Sequence, residues 1–260
     1  MLLRKSATAR KQYRMPKKIW IPFAVVLIVI VVPVLVLGFM GLVPGLSNIM
    51  GSASQRNLGV SFSQQDLTSF QQKTPLDFKD SSLAPASPIS TSSKQLLTQP
   101  VTVQSVSLSQ EEITATLDSH NWSWLPITNA QIRLTSGTVE VSGLLNSDHL
   151  NAFEQYIGNG HALSANATNL IDWSRHFRNH VPVYLRAQAS VTNNVLSFKL
   201  EQAQIGRLNI PLDLVVNGTT LRQGIQTNIT ANNLDVKTAY AVNGTLNFSG
   251  TYPSVIYVKN

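Results

Sequence analysis

From Val181 to Ala203 the chain reads VPVYLRAQASVTNNVLSFKLEQA. Val181, Val183, Leu185, Ala187, Ala189 and Val191 fall on one side of an extended strand, and Tyr184, Arg186, Gln188, Ser190 and Thr192 on the other. Asn193-Asn194 offers the positive φ that a tight turn needs, and Leu196, Phe198 and Leu200 return along the apolar side. Strict alternation predicts an antiparallel sheet with one buried and one wet face. Two more hairpins follow the same plan. Ala130, Ile132 and Leu134 alternate with Gln131, Arg133 and Thr135 before Ser136-Gly137, and Val139 and Val141 then alternate with Glu140 and Ser142. Leu234 and Val236 precede Asn243-Gly244, a strong two-residue turn signal, after which Leu246 and Phe248 alternate with Asn247 and Ser249. The segments SGTVEVSG (136–143) and NGTLNFSG (243–250) repeat one another.

Helical spacing appears between the hairpins. VSFSQQDLTSF from Val60 and VSLSQEEITATL from Val106 are nearly one phrase written twice. Each sets a serine three residues ahead of an acid (Ser63 with Asp66, Ser109 with Glu112), bracketed by apolar residues, which is the capping-box signature with a hydrophobic staple. The phrases predict helices over 64–73 and 110–119, with Pro75 ending the first. Ser147 opens SDHLNAFEQYIG, where Leu150, Phe153 and Ile157 share a face and Gly158 suits a C-terminal cap. TNLIDWSRHFR (168–178) reads as another short helix; after Pro211, glycines and β-branched residues weaken a helical reading. DSSLAPASPISTSSK (80–94) reads as a linker. The expected fold is α+β, an antiparallel β-sheet built from repeated hairpins with one face covered by helices.

No charged residue occurs from Ile19 to Gln55, and Ile19 to Val43 is almost wholly apolar. Twenty-five helical residues reach roughly 37 Å, enough for a ~30 Å hydrocarbon core. Trp20 lies where an interfacial aromatic would anchor, and Pro33 is tolerated in such helices. The run exceeds a signal-peptide core, although GSAS at 51–54 offers a cleavage-like site. The reading is therefore a basic cytoplasmic tail (1–18), a transmembrane helix (19–43), a stalk with a short helix and linker (44–97) and an exported α+β domain (98–260). The N-terminus is placed in the cytoplasm and the C-terminal domain outside.

Charge supports this division. The net charge is +7, but seven Lys and Arg precede residue 19 and the remaining 13 balance 13 Asp and Glu. No nucleic-acid partner is expected of a neutral remainder. With no cysteine, disulfides and thiol chemistry are excluded, which for an exported domain leans toward a bacterium. The six N-x-S/T sequons are then chance products; in a eukaryotic secretory pathway some would be candidate glycan sites.

The stretch 181–216 resembles the YpmS-like bacterial single-pass membrane proteins, whose function is not settled. The residues that carry the likeness are the paired strands, the turn Ile205-Gly206-Arg207-Leu208-Asn209-Ile210-Pro211, the helix start LSQEEI and the N-terminal anchor. More loosely, the plan looks like exported envelope proteins of the AsmA or tubular lipid-binding type. That resemblance implies a concave apolar face able to hold an acyl chain, and it transfers no catalytic residue.

Candidate chemistry is sparse. His176 and His180 are four apart, a zinc-like spacing on a helix, but Phe177 stands where a metalloprotease needs glutamate and no third ligand is signalled. No nucleophile elbow, phosphate loop or nucleotide fingerprint occurs. The expectation is no enzyme, no cofactor and no metal. The aromatic residues Trp122 and Trp124, the pair Trp173 and Phe177, and Leu185 and Phe198 on the apolar strand face are the candidate contacts for an apolar ligand or partner; core packing is the plain alternative. The functional expectation is a membrane-anchored extracytoplasmic domain that binds lipid or another apolar envelope component. Its rival is a protein–protein interaction or scaffold module beside membrane proteins.

Overall fold

The computed structural model describes residues 27–74, 76–80, 97–120, 122, 125–157, 169, 180–212, 219, 222, 223, 226, 227 and 234–258. A π-helical turn, Leu27–Val31, leads into α1 (Val32–Phe39), followed by α2 (Leu46–Ile49), α3 (Gln64–Lys73), α4 (Gln110–Ser119), and a 3-10 turn, Ser147–His149, that opens α5 (Leu150–Ile157). The strands are β1 (Asp77–Asp80), β2 (Leu97–Ser109), β3 (Ile127–Thr135), β4 (Thr138–Asn146), β5 (His180–Thr192), β6 (Val195–Ile205), β7 (Leu208–Asn209), β8 (Val236–Val242) and β9 (Thr245–Val258). The architecture is α+β, a curled sheet with few helices.

The three expected hairpins form. β3–β4 turns at Gly137 (φ 71°), β5–β6 at Asn193 and Asn194 (48° and 65°), and β8–β9 at Asn243 and Gly244 (44° and 83°). The sheet is mixed rather than purely antiparallel, because β1 runs parallel to β9. β4 and β8 share one side of β5 in tandem, β4 along residues 180–188 and β8 along 190–192, while β6 takes the other side. Where they meet, the β3–β4 turn is wedged in. The Gly137 amide donates to the Ala241 carbonyl (2.8 Å), and its carbonyl accepts from Ala189 (3.2 Å).

Helix α4 fills the gap that this divergence opens between β3 and β2–β9. Its side chains take up the outer edge of β3: the amides of Ala130, Ile132 and Leu134 donate to Asp118 Oδ1 (3.0 Å), Thr114 Oγ1 (3.1 Å) and Gln110 Oε1 (3.1 Å). Helix residues four apart climb roughly 6 Å, and alternate strand residues advance a little under 7 Å, so one row of acceptors meets one row of donors. An edge that would otherwise be open to pairing is thereby closed. Behind this seam Ile113, Leu117, Val139, Val141 and Leu246 pack on Ile132, Leu134 and Ala241. Phe70 of α3 packs on Val106 and Leu108 beside Phe248.

Two expectations need correction. The face of β4–β5 expected to be wet is covered: Thr138, Glu140, Ser142 and Tyr184 are buried there. Residues 55–60, expected to belong to the stalk, lie across it. Leu58 and Val60 pack on Tyr184, the Leu58 amide donates to Gln131 Oε1 (2.7 Å), and the Arg56 guanidinium lies 4.3 Å above the Tyr184 ring. A chain that buries a tyrosine under two aliphatic residues and a cation removes that face from solvent. The stretch 77–80, also on the expected stalk, adds β1 to the sheet. The linker 80–94 lies outside the described residues except for the backbone of Asp80.

Candidate functional site: an apolar helix rooted in the sheet

The transmembrane helix expected over 19–43 takes a different form where it is described. No helix among the described residues is long and apolar enough to cross a membrane. Residues 19–26 lie outside the described set, and the helix ends at Phe39, because Gly41 (φ 82°) turns the chain and Pro44 cannot continue it. What remains is nevertheless unusual. Val29, Ile30, Val31, Val32, Val34, Leu35, Val36 and Phe39 are all exposed, so the segment is apolar around most of its circumference.

Its C-terminal end is fixed by three devices. Met40 and Leu42 plug into the domain against Val181, with Leu37, Ile205 and Leu208 around them. The chain then folds back as α2. Leu46 packs so closely on Gly38 that a Cβ there would lie 2.5 Å from Leu46 Cδ2. The Gly38 carbonyl, one of the acceptors a helix end leaves over, takes hydrogen bonds from the buried hydroxyls of Ser47 (2.9 Å) and Ser52 (2.5 Å).

The third device is the turn between β6 and β7. The Gly206 amide donates to the Pro182 carbonyl (2.7 Å), the Arg207 amide to the Phe39 carbonyl (2.9 Å), and Arg207 Nε to the Gly51 carbonyl (3.0 Å). Gly206 has φ 59°, and a Cβ on it would lie 2.5 Å from the Met40 carbonyl carbon. Only glycine allows that backbone conformation and that approach together. The stretch Ile205–Pro211, which reads in the sequence as a turn between strands, is thus the socket of the helix. No linker separates the apolar helix from the sheet.

No protein-family model matches the chain, and neither the curated proteins nor the solved structures give a significant match. The likeness to YpmS-like proteins therefore rests on the short motifs and the N-terminal anchor, and that to AsmA-type proteins on the general plan.

Of the six aromatic and apolar candidates, the three that are described do not converge. Trp124, Trp173 and Phe177 lie outside the described residues. Trp122 is buried, stacked on His120 (centroids 4.8 Å apart) and tilted against Phe78 (4.7 Å). It borders a cavity of about 220 Å³ at the end of α4 that also carries Asp118, Ser119, His120 and Asn129. Leu185 and Phe198 are half-buried on the same face of β5–β6 but stand apart, Leu185 opposite Ala203 and Phe198 opposite Ala189. His180 opens β5, so the single helix face imagined for His176 and His180 does not reach it; His176 lies outside the described residues. No cluster of metal-binding side chains occurs among the described residues.

A charged network that the sequence reading did not single out sits under residues 55–60. The buried Glu140 carboxylate accepts from Tyr184 Oη (3.1 Å) and from Arg133 Nε (2.5 Å), with Arg186 Nη1 at 3.8 Å. Burial pushes the Tyr184 hydroxyl pKa up, and the neighbouring Glu140 charge adds to this. Arg186 also binds Glu201 (2.9 Å), which the β-bulge in β6 turns to this side. Both oxygens of Glu140 are occupied, so the network cross-ties β3, β4 and β5 rather than offering a base. Its signal was present as Arg133, Glu140 and Arg186 on facing strands, each alternating to the same side.

Proposed function

We propose that this protein is a single-pass, membrane-anchored extracytoplasmic domain that acts as an interaction or scaffold module held in a fixed attitude to the bilayer. The observation that carries this is the exposed apolar helix that enters the sheet without a linker. An all-apolar helical surface is costly in water and at home in hydrocarbon. The charge-free run upstream to Ile19 and the seven cations before it supply the rest of the span and its orientation.

The module reading is preferred to the lipid-holding one on packing. A lipid holder of this plan calls for an apolar channel between sheet and helix. Among the described residues that space is filled by Ile113, Leu117, Ile132, Leu134 and Leu246, and the cavity beside Trp122 carries polar groups that suit no acyl chain.

Two measurements test the proposal. Alkaline carbonate should leave the full chain in the membrane pellet, and protease added to intact cells should cut only the C-terminal domain; release into the supernatant, or protection of that domain, sinks the reading. Native mass spectrometry of the detergent-solubilised chain should give a lipid-free mass once bulk detergent is stripped, whereas a retained stoichiometric lipid returns the argument to the lipid holder. The socket carries its own prediction. Gly206→Ala adds a left-handed strain of roughly 1–2 kcal/mol on top of a backbone clash. Faster hydrogen exchange at Arg207 with an unchanged sheet circular dichroism is expected, and an unaltered exchange rate would mean the socket does not hold the helix.

A further inference from the structure

We propose that α2 is a second membrane contact, its Ile49 entering the bilayer interface beside the anchoring helix. The inference rests on the anchor reading above and adds to it the face of the domain that meets lipid. A lone exposed isoleucine is ordinary on a protein surface, and three observations set this one apart. Ile49 is the most exposed large apolar side chain among the described residues, at 85%. It is also unable to retreat. The turn that carries it is locked to α1 by Leu46 against Gly38 and by two buried serine hydroxyls on the Gly38 carbonyl. Its position relative to α1 is therefore fixed.

The chemistry around it is also that of an interface. From Ile19 to Gln55 the chain carries no charge, so the exposed surface of this turn is Pro44, Gly45, Asn48, Ile49 and Gly51. Between Phe39 and Pro44 the sequence, Met40 to Val43, carries no polar side chain. Arg207 meets this turn, its Nε donating to the Gly51 carbonyl (3.0 Å). A charge-free turn bordered by a guanidinium matches the passage from acyl chains to phosphate headgroups. The ligand class is therefore a phospholipid surface, touched by a rigid wedge at the root of the span. The consequence is orientation: helix and wedge together give two points of contact, and the domain cannot spin freely about its anchor.

The chain has no cysteine, so single-cysteine variants of the full-length protein report position directly. Ile49→Cys, Val34→Cys and Val195→Cys are labelled with an environment-sensitive fluorophore and reconstituted in phosphatidylcholine–phosphatidylglycerol vesicles carrying shallow nitroxide lipids. Val34 lies on the exposed face of α1, and Val195 is exposed at the start of β6. The expected result is blue-shifted emission at positions 49 and 34, with quenching at least about twofold stronger than at 195 because the interface brings label and nitroxide together. If position 49 behaves like 195 while 34 is quenched, the wedge is wrong and the anchor stands. If 34 is also unquenched, the anchor itself fails and the wedge with it.

Discussion

Helices α3 and α4 open with nearly the same words and come to different ends. At α3, Asp66 Oδ2 accepts from the Ser63 amide and hydroxyl, each at 2.7 Å. The Ser63 hydroxyl, then its amide, hold the Asp66 carboxyl below its usual pKa, and everything involved is local and near solvent. At α4, Ser109 Oγ accepts from the Glu112 amide (3.1 Å), and the Ser109 amide donates to Glu112 Oε2 (2.8 Å). The other Glu112 oxygen reaches back to α3, where it takes Lys73 Nζ (2.6 Å) and the Ser69 hydroxyl. Glu112 is only 4% exposed. Burial alone would raise its pKa, but Lys73, Ser69 and the Ser109 amide outweigh burial and bring it below the ordinary value. The shared phrase fixes how each helix begins. What the acid is worth depends on what it faces.

The largest expected effect follows from that contrast. Glu112→Ala removes a cap worth about 1 kcal/mol and leaves Ser69 and the Ser109 amide without their acceptor beside the core, a further one to three kcal/mol or so. A loss of about 2–4 kcal/mol in urea unfolding is predicted, with α3 as the element that loosens. If the loss stays below about 1 kcal/mol, the link between the two helices carries nothing and the contrast reduces to two ordinary caps. Lys73 is partly exposed, so Lys73→Met should cost less than the loss of its partner.

Acid titration sharpens the same point. Because the folded Glu112 pKa lies below the ordinary 4.5, the unfolded chain binds this proton more readily. The stabilisation is therefore complete above that ordinary value and is lost as pH falls through the depressed folded value. The melting temperature should drop as pH is lowered from about 5 to 3, and Glu112→Gln should flatten that drop. An equally steep acid loss in the variant would assign it to other carboxylates, Asp66 and Asp235 among them, whose pKa values also lie below the usual range.

How much of this was legible can be traced to particular residues. The three hairpins and helices 64–73 and 110–119 were readable because turn chemistry and periodicity act locally: Asn193-Asn194 and Asn243-Gly244 need no partner to declare a turn. β2 was missed although VTVQSVSLS alternates. Its phase changes at the bulge, with Val101 and Val103 on one parity and Val106 and Leu108 on the other, where the register shifts. β1 was missed because four residues of DFKD carry no pattern of their own and are a strand only through β9. The covering of Tyr184 could not be read from β5, since it depends on where residues 55–60 travel. Gly206 was visible as part of a turn, but its reason, the backbone of Met40 some 166 positions earlier in the chain, is a tertiary fact.

The smallest effect is the one that decides whether the comparison concerns the phrase or its surroundings. Asp66→Ala at α3 removes a cap at a half-exposed position, and about 0.5–1 kcal/mol is expected, well under the loss at Glu112. Exchanging the acids is more pointed. Asp66→Glu completes the S-x-x-E form of the box in a place with no further partner among the described residues, so it should change stability by no more than a few tenths of a kcal/mol. Glu112→Asp keeps the charge and the cap but shortens the arm by one methylene, so Lys73 and Ser69 fall out of reach together. If surroundings set the value, the two exchanges differ sharply although each swaps the same pair of residues. If both prove equally mild in urea unfolding, the capping box alone accounts for each helix, and the bridge between α3 and α4 is only proximity.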